Sequence, residues 1–163
     1  MVASADTSSK GRLAALAHAL RSLHRALAER ARRDLETERL TVIQPGAWLS
    51  ILTTDARFGW LRSLSELMVD LDVFLEADPE PALDDAAAVR AEVERLIAPS
   101  AVPHTETDFS RQYWRYVHDE PTVAVAHGET RQALDRLPVP ADVDEGDALH
   151  ERHRWSEARR NRG

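Results

Sequence analysis

The chain has 163 residues, of which 43% are hydrophobic and 30% charged, with a formal net charge of −7 and no cysteine. This length fits one compact domain with a substantial core, and the missing thiols exclude disulfides and thiolate metal sites. Only 6% of residues are aromatic, so Leu and Ala must supply most of the packing, and the abundance of Leu, Ala, Glu and Arg favours helices over sheets.

No run approaches the roughly 18 uncharged apolar residues of a membrane span. The opening MVASADTSSKGR lacks the apolar centre of a secretory signal, so the expected location is cytoplasmic. Charge divides along the chain. Residues 1 to 40 carry eight basic and five acidic side chains, a net of +3, whereas residues 55 to 110 carry four and thirteen, a net of −9. The acidic stretch repels a phosphate backbone, which argues against broad nucleic-acid binding and is compatible with a basic protein partner.

The first helix is expected from about Lys10 to Glu36. Leu13, Leu16, Leu20, Leu23 and Leu27 recur at spacings of three and four, and Ala31 and Leu35 extend the stripe. A core helix and a two-stranded coiled coil share this spacing; the other helices in the chain favour the bundle. Pro45 and Gly46 then open a short segment, Ala47 to Thr54, whose Trp48, Leu49, Ile51 and Leu52 are expected to pack over one end. Asp55 is the expected cap of a long helix from Ala56 to Ala77, stopped by Pro79 and Pro81. A helix from Asp84 to Ala98 buries Ala86, Val89, Val93, Leu96 and Ile97. Asp108 is read as the cap of the next helix, with Phe109, Tyr113 and Tyr116 inward, and Pro121 as the start of the last, with Val123, Ala126, Leu134 and Leu137 inward. The reading is an all-α, mainly antiparallel bundle of about five helices plus a short one over residues 10 to 138. A linker and a loose or weakly helical tail follow from 139 to 163. No internal repeat is present.

The segment Phe58 to Glu76, FGWLRSLSELMVDLDVFLE, carries four carboxylates on an amphipathic helix. Phased on Leu64, Glu66 and Asp70 project away from the core, and Asp72 lies nearest the apolar border. His24 shares the leucine face of the first helix, and His127 falls between Val123 and Leu134. His24, Asp72 and His127 are therefore the candidates for a cofactor or small-molecule site of unknown ligand; no metal site is assigned, because the paired Glu-x-x-His arrangement of di-metal bundles is absent. His104 in a loop, His118 beside Asp119, and the His150/His153 pair are further but less pointed candidates. Trp114 lies off the Phe109–Tyr116 face beside Arg111 and Arg115, making these three a candidate partner-binding patch, with Arg62 and Glu66 as a second contact or an intrahelical ion pair. Ser63 and Ser65 sit in a helix without an evident base, and no Gly-rich phosphate loop, HExxH motif or serine-nucleophile elbow occurs. The arginines at 159, 160 and 162 read as a solvated basic end.

The succession of the first helix, PGAWLS, FGWLRSLSELMVDLD and DFSRQYWRYVHDEPTVAVAHGE resembles a family of small, uncharacterised bacterial all-helical proteins over roughly residues 12 to 137. Trp60, Leu61, Arg62, Leu64, Ser65 and Glu66 form its most distinctive part. The resemblance implies a bacterial bundle and transfers no activity. Three functions are compatible with the residues. The first is a non-enzymatic protein-interaction or regulatory module. The second is a metal- or small-molecule-binding bundle, enzymatic or not, built on His24, Asp72 and His127. The third is a homodimer whose shared surface covers the Leu13–Leu27 stripe. The placement of Leu64 is directly testable: Leu64→Asp is expected to lower the thermal midpoint far more than changes at its solvent-facing neighbours. Equal midpoints would mean that Leu64 is not inside.

Overall fold

The leucine stripe of the first helix decides where the other elements sit. In the computed structural model, which describes residues 8–77, 80–102 and 106–139, α1 runs from Ser9 to Arg39. At 1.5 Å per residue its 31 residues span roughly 46 Å. Leu13, Leu16, Leu20, Leu23 and Leu27 are all fully buried, and Ala31 and Leu35 continue the face. A helix this long exposes more apolar surface than one neighbour can cover. It packs against α3 (Arg62–Glu76), α4 (Leu83–Ile97), α5 (Asp108–Asp119) and α6 (Pro121–Asp135), most extensively against α6 and α3. The described residues form an all-α bundle, completed by α2 (Pro45–Thr54) and a 3-10 helix (Ala56–Leu61). Because the stripe is covered within the chain, it is not open to a second copy, and the homodimer reading built on it is corrected. Among the described residues no helix is long and apolar enough to cross a membrane. His104, His150, His153, Trp155, the terminal arginines and the tail beyond 139 lie outside the described residues.

Local chemistry sets the boundaries. Ser8 Oγ accepts from the Gly11 amide at 3.0 Å and starts α1. Pro45 and Pro121 occupy first helical positions, where a missing amide hydrogen is harmless. Thr107, rather than Asp108, caps α5: its hydroxyl accepts from the Ser110 amide at 3.1 Å, and Asp108 becomes the first helical residue. The single helix expected from Ala56 to Ala77 is divided. Asp55 does cap its start, accepting from the Arg57 amide at 2.9 Å, but the first six residues form a 3-10 helix before α3 begins at Arg62. The tighter winding is compatible with burying Phe58 and Leu61, which are three residues apart and eclipse at three residues per turn.

Charge and aromatic contacts fasten the corner between α5 and α6 to α1. Glu120 caps α6 and is buried, and its Oε2 accepts from Arg30 Nη1 at 3.2 Å and Arg33 Nη2 at 2.9 Å. Burial alone would raise its carboxyl pKa. The Thr122 amide, Arg30 and Arg33 outweigh that and hold it below the usual carboxylate range. One turn away, Tyr116 donates to Asp34 Oδ2 at 2.8 Å. Trp60 lies between Phe109 and Tyr116, with ring centroids 6.0 and 5.9 Å away, so the 3-10 helix is locked to α5.

The end of α1 carries the one left-handed residue outside glycine among the described residues. Leu40 has φ 52° and ψ 37°; its amide bonds Thr37 O and the Thr41 amide bonds Glu36 O, closing the helix. Leu40 is 91% exposed, so its side chain contributes little packing in return for the strained backbone. Leu40→Gly is therefore expected to stabilise the fold by about 0.5–1 kcal/mol, a rise of a few degrees in thermal midpoint. A lower midpoint would show that the leucine side chain holds the turn.

Candidate functional site

The short helix α2 is apolar yet buries none of its residues. Trp48 sets its edge on Phe58 at 5.1 Å, Ile51 and Leu52 are half-buried, and Leu49 is 63% exposed, so only part of the expected end-packing forms. Beneath α2 lies a cavity of about 480 Å³, walled by α1, α2, the 3-10 helix and α3. This is within the range of small-molecule sites. Its sides are largely apolar, with Leu52, Phe58 and Leu61 among them, and its polar groups include His24, Ser65 and Arg62.

His24 Nε2 lies 3.0 Å from Ser65 Oγ, and the same oxygen lies 3.2 Å from the carbonyl of Leu61 one turn back. A hydroxyl has a single hydrogen, and the Leu61 carbonyl can only accept. The network therefore assigns the Ser65 hydrogen to Leu61 and the Nε2 hydrogen to His24, which donates to Ser65. Burial pushes the His24 pKa down, in keeping with a neutral ring. In this arrangement His24 is a donor to Ser65 and not its base. The serine without an evident base in sequence thus gains a histidine partner, 41 residues away, that the chain's linear order does not reveal.

Arg62 lies one turn before Ser65 on α3 and lines the same cavity. The expected Arg62–Glu66 ion pair does not form; among the described residues no carboxylate is within ion-pair distance of Arg62, and Glu66 is exposed. The other charged group on the wall, Asp55, is occupied. Hydrogen bonds from Arg57, whose Nη2 is 3.1 Å away, hold its carboxyl below the usual range. Thr53 and Thr54 donate to backbone carbonyls of their own helix.

The expected cofactor set does not converge. His24 pairs with Ser65, Asp72 with Arg21 on α1, and His127 with the hydroxyl of Tyr113. Among the described residues no three His, Asp or Glu side chains cluster as metal ligands. Asp72 is half-exposed, whereas Asp70, expected in solvent, is 2% exposed. The phase centred on Leu64 assumed a symmetric buried arc. Packing of α3 against both α1 and α4 widens that arc to the side of Leu67, which brings Asp70 inside and leaves Asp72 at the opposite edge. Glu92 is likewise buried and bonds Arg95 at 2.7 Å; its position three residues after Val89 was the signal for that placement. It lines a second cavity of about 340 Å³ with Ser63 and Leu67.

Of the expected contact patch, Arg111 and Arg115 are exposed, whereas Trp114 differs from the expectation. Trp114 is half-buried, its ring edge-on to Tyr113 and His127 at 5.5 and 5.2 Å, because α5 is packed against α4 and α6 as well as α1. Arg111 pairs with Asp108 and Glu106, and Arg115 pairs with Asp34 while covering the Tyr116 ring at 4.9 Å. His127 lies in the same packing. Burial first, and then the Arg131 charge, depress its pKa, and its Nδ1 shares a hydrogen bond with the Tyr113 hydroxyl.

No family model, curated protein or solved structure matches the chain. Its functional reading therefore rests on its own geometry.

The two histidines set a pH dependence. Each has a folded pKa below the ordinary 6.5, so the unfolded chain takes up protons that the native state refuses. Stability is fully present above about pH 6.5 and declines as pH falls below it. The thermal midpoint is expected to drop between pH 7.5 and 5.5, and His24→Gln to reduce that drop. An acid sensitivity unchanged in His24→Gln would show that His24 does not stay neutral in the fold.

Proposed function

We propose that the protein is a ligand-binding helical bundle that holds one small, largely apolar molecule in the cavity beneath α2. The observation that carries this reading is the cavity itself: apolar walls around a fixed histidine–serine pair and a cation without a carboxylate partner. The pocket is half open, so its apolar walls face solvent. A ligand seated there would take that surface out of water and bury part of α2. The apolar and largely exposed face of α2 supports a related second reading, in which the occupied bundle presents this helix to a protein partner as a regulatory module.

Thermal shift with small apolar probes such as 1-octanol and indole tests the cavity. Binding to the native state alone raises the midpoint as probe concentration passes its dissociation constant. The wild type is expected to gain several degrees at saturating probe, and Leu52→Trp, which fills the cavity from its half-buried edge, to lose the gain. A gain that persists in Leu52→Trp would place the probes elsewhere and defeat the proposal.

A further inference from the structure

We infer that the ligand is an amphipathic carboxylate, its anionic end between Arg62 and Ser65 and its apolar body along Leu52, Phe58 and Leu61. This rests on the cavity reading and names the class of molecule it takes. Two independent features of the polar end point the same way.

The first is the charge on the wall. Arg62 is a cation with no ion-pair partner among the described residues, beside an apolar chamber, whereas Asp55 is already bound by Arg57. Arg62 is exposed at the rim of the pocket, where its planar fork can pair with a carboxylate whose apolar body lies inside.

The second is the direction of the hydroxyl hydrogen. His24 Nε2–H donates to Ser65 Oγ, which leaves the Ser65 hydrogen on the carbonyl of Leu61 at 3.2 Å. That carbonyl belongs to the helical turn, so the serine bond to it is dispensable. Rotation about the Cβ–Oγ bond transfers the hydrogen to an oxygen in the cavity while His24 keeps its own bond. His24 thus acts as a positioning residue that keeps Ser65 a donor, and a donor is what a carboxylate requires. Arg62 and Ser65 are three residues apart on α3, one turn along the same side, so both reach one headgroup.

Isothermal titration of the full chain at pH 7.5 with octanoate, 1-octanol and octyltrimethylammonium separates the class of ligand from the existence of the site. Octanoate is expected to bind about five- to tenfold more tightly than octanol, with the ammonium ion weakest. Arg62→Met should cancel the octanoate advantage and leave octanol within about twofold, because an apolar chain does not use the charge. Added salt should weaken octanoate and spare octanol. Ser65→Ala should weaken octanoate about threefold, through the lost donor. Octanol binding as tightly as octanoate, or Arg62→Met weakening both alike, overturns the carboxylate assignment and leaves the cavity reading standing. Binding of none of the three overturns both.

Discussion

The whole arrangement depends on burying α1 from several sides at once. Its five fully buried leucines, with small alanines between them, allow neighbouring helices to approach closely around much of its circumference. Isolated helices are marginal in water, and the shorter ones here gain their stability from lying on this spine. The same constraint separates a bundle from a coiled coil. A two-stranded seam needs a narrow stripe, whereas α1 buries Ala17, Ala19, Ala26 and Ala28 beside its leucines and so presents a wider face.

Electrostatics then fixes what hydrophobic burial leaves adjustable. The basic first helix and the acidic segment after residue 55 meet at the Arg21–Asp72 pair, and α1 grips the α5–α6 corner through Arg30, Arg33 and Glu120. The exposed pairs contribute little individually. Glu120 differs because it is buried, caps a helix and has two guanidinium partners, so losing either arginine would leave a desolvated carboxylate less well compensated. This corner orients α5, and α5 in turn presents the aromatic surface that Trp60 needs. The start of α3, with Arg62 and Ser65, is positioned through that chain of contacts.

Much of the architecture was legible because periodicity is a one-dimensional signal. The leucine stripe, the prolines at helix starts and the inward faces of α4, α5 and α6 follow from spacing alone. The cavity was not legible, because it depends on which helices become neighbours. His24 and Ser65 are each unremarkable in their own helix and acquire meaning only when α1 crosses α3. Asp70 and Asp72 show the limit from the other side: helical phase fixes their angular separation, but the width of the buried arc is set by the second helix that packs there. The 3-10 turn at Phe58 to Leu61 escaped for a related reason, since a spacing of three satisfies both helix types.

The position of α2 has a consequence for how the molecule breathes. It is held between the left-handed turn at Leu40 and the cap at Asp55, and it contributes no buried side chain to the core. Opening this segment breaks few apolar contacts, whereas releasing α1 requires the whole fold to come apart. Amide hydrogens of α2 should accordingly exchange with solvent through local fluctuations, and those at the centre of α1 only through global unfolding. Local opening of α2, unlike release of α1, would uncover the pocket while the leucine core stays closed.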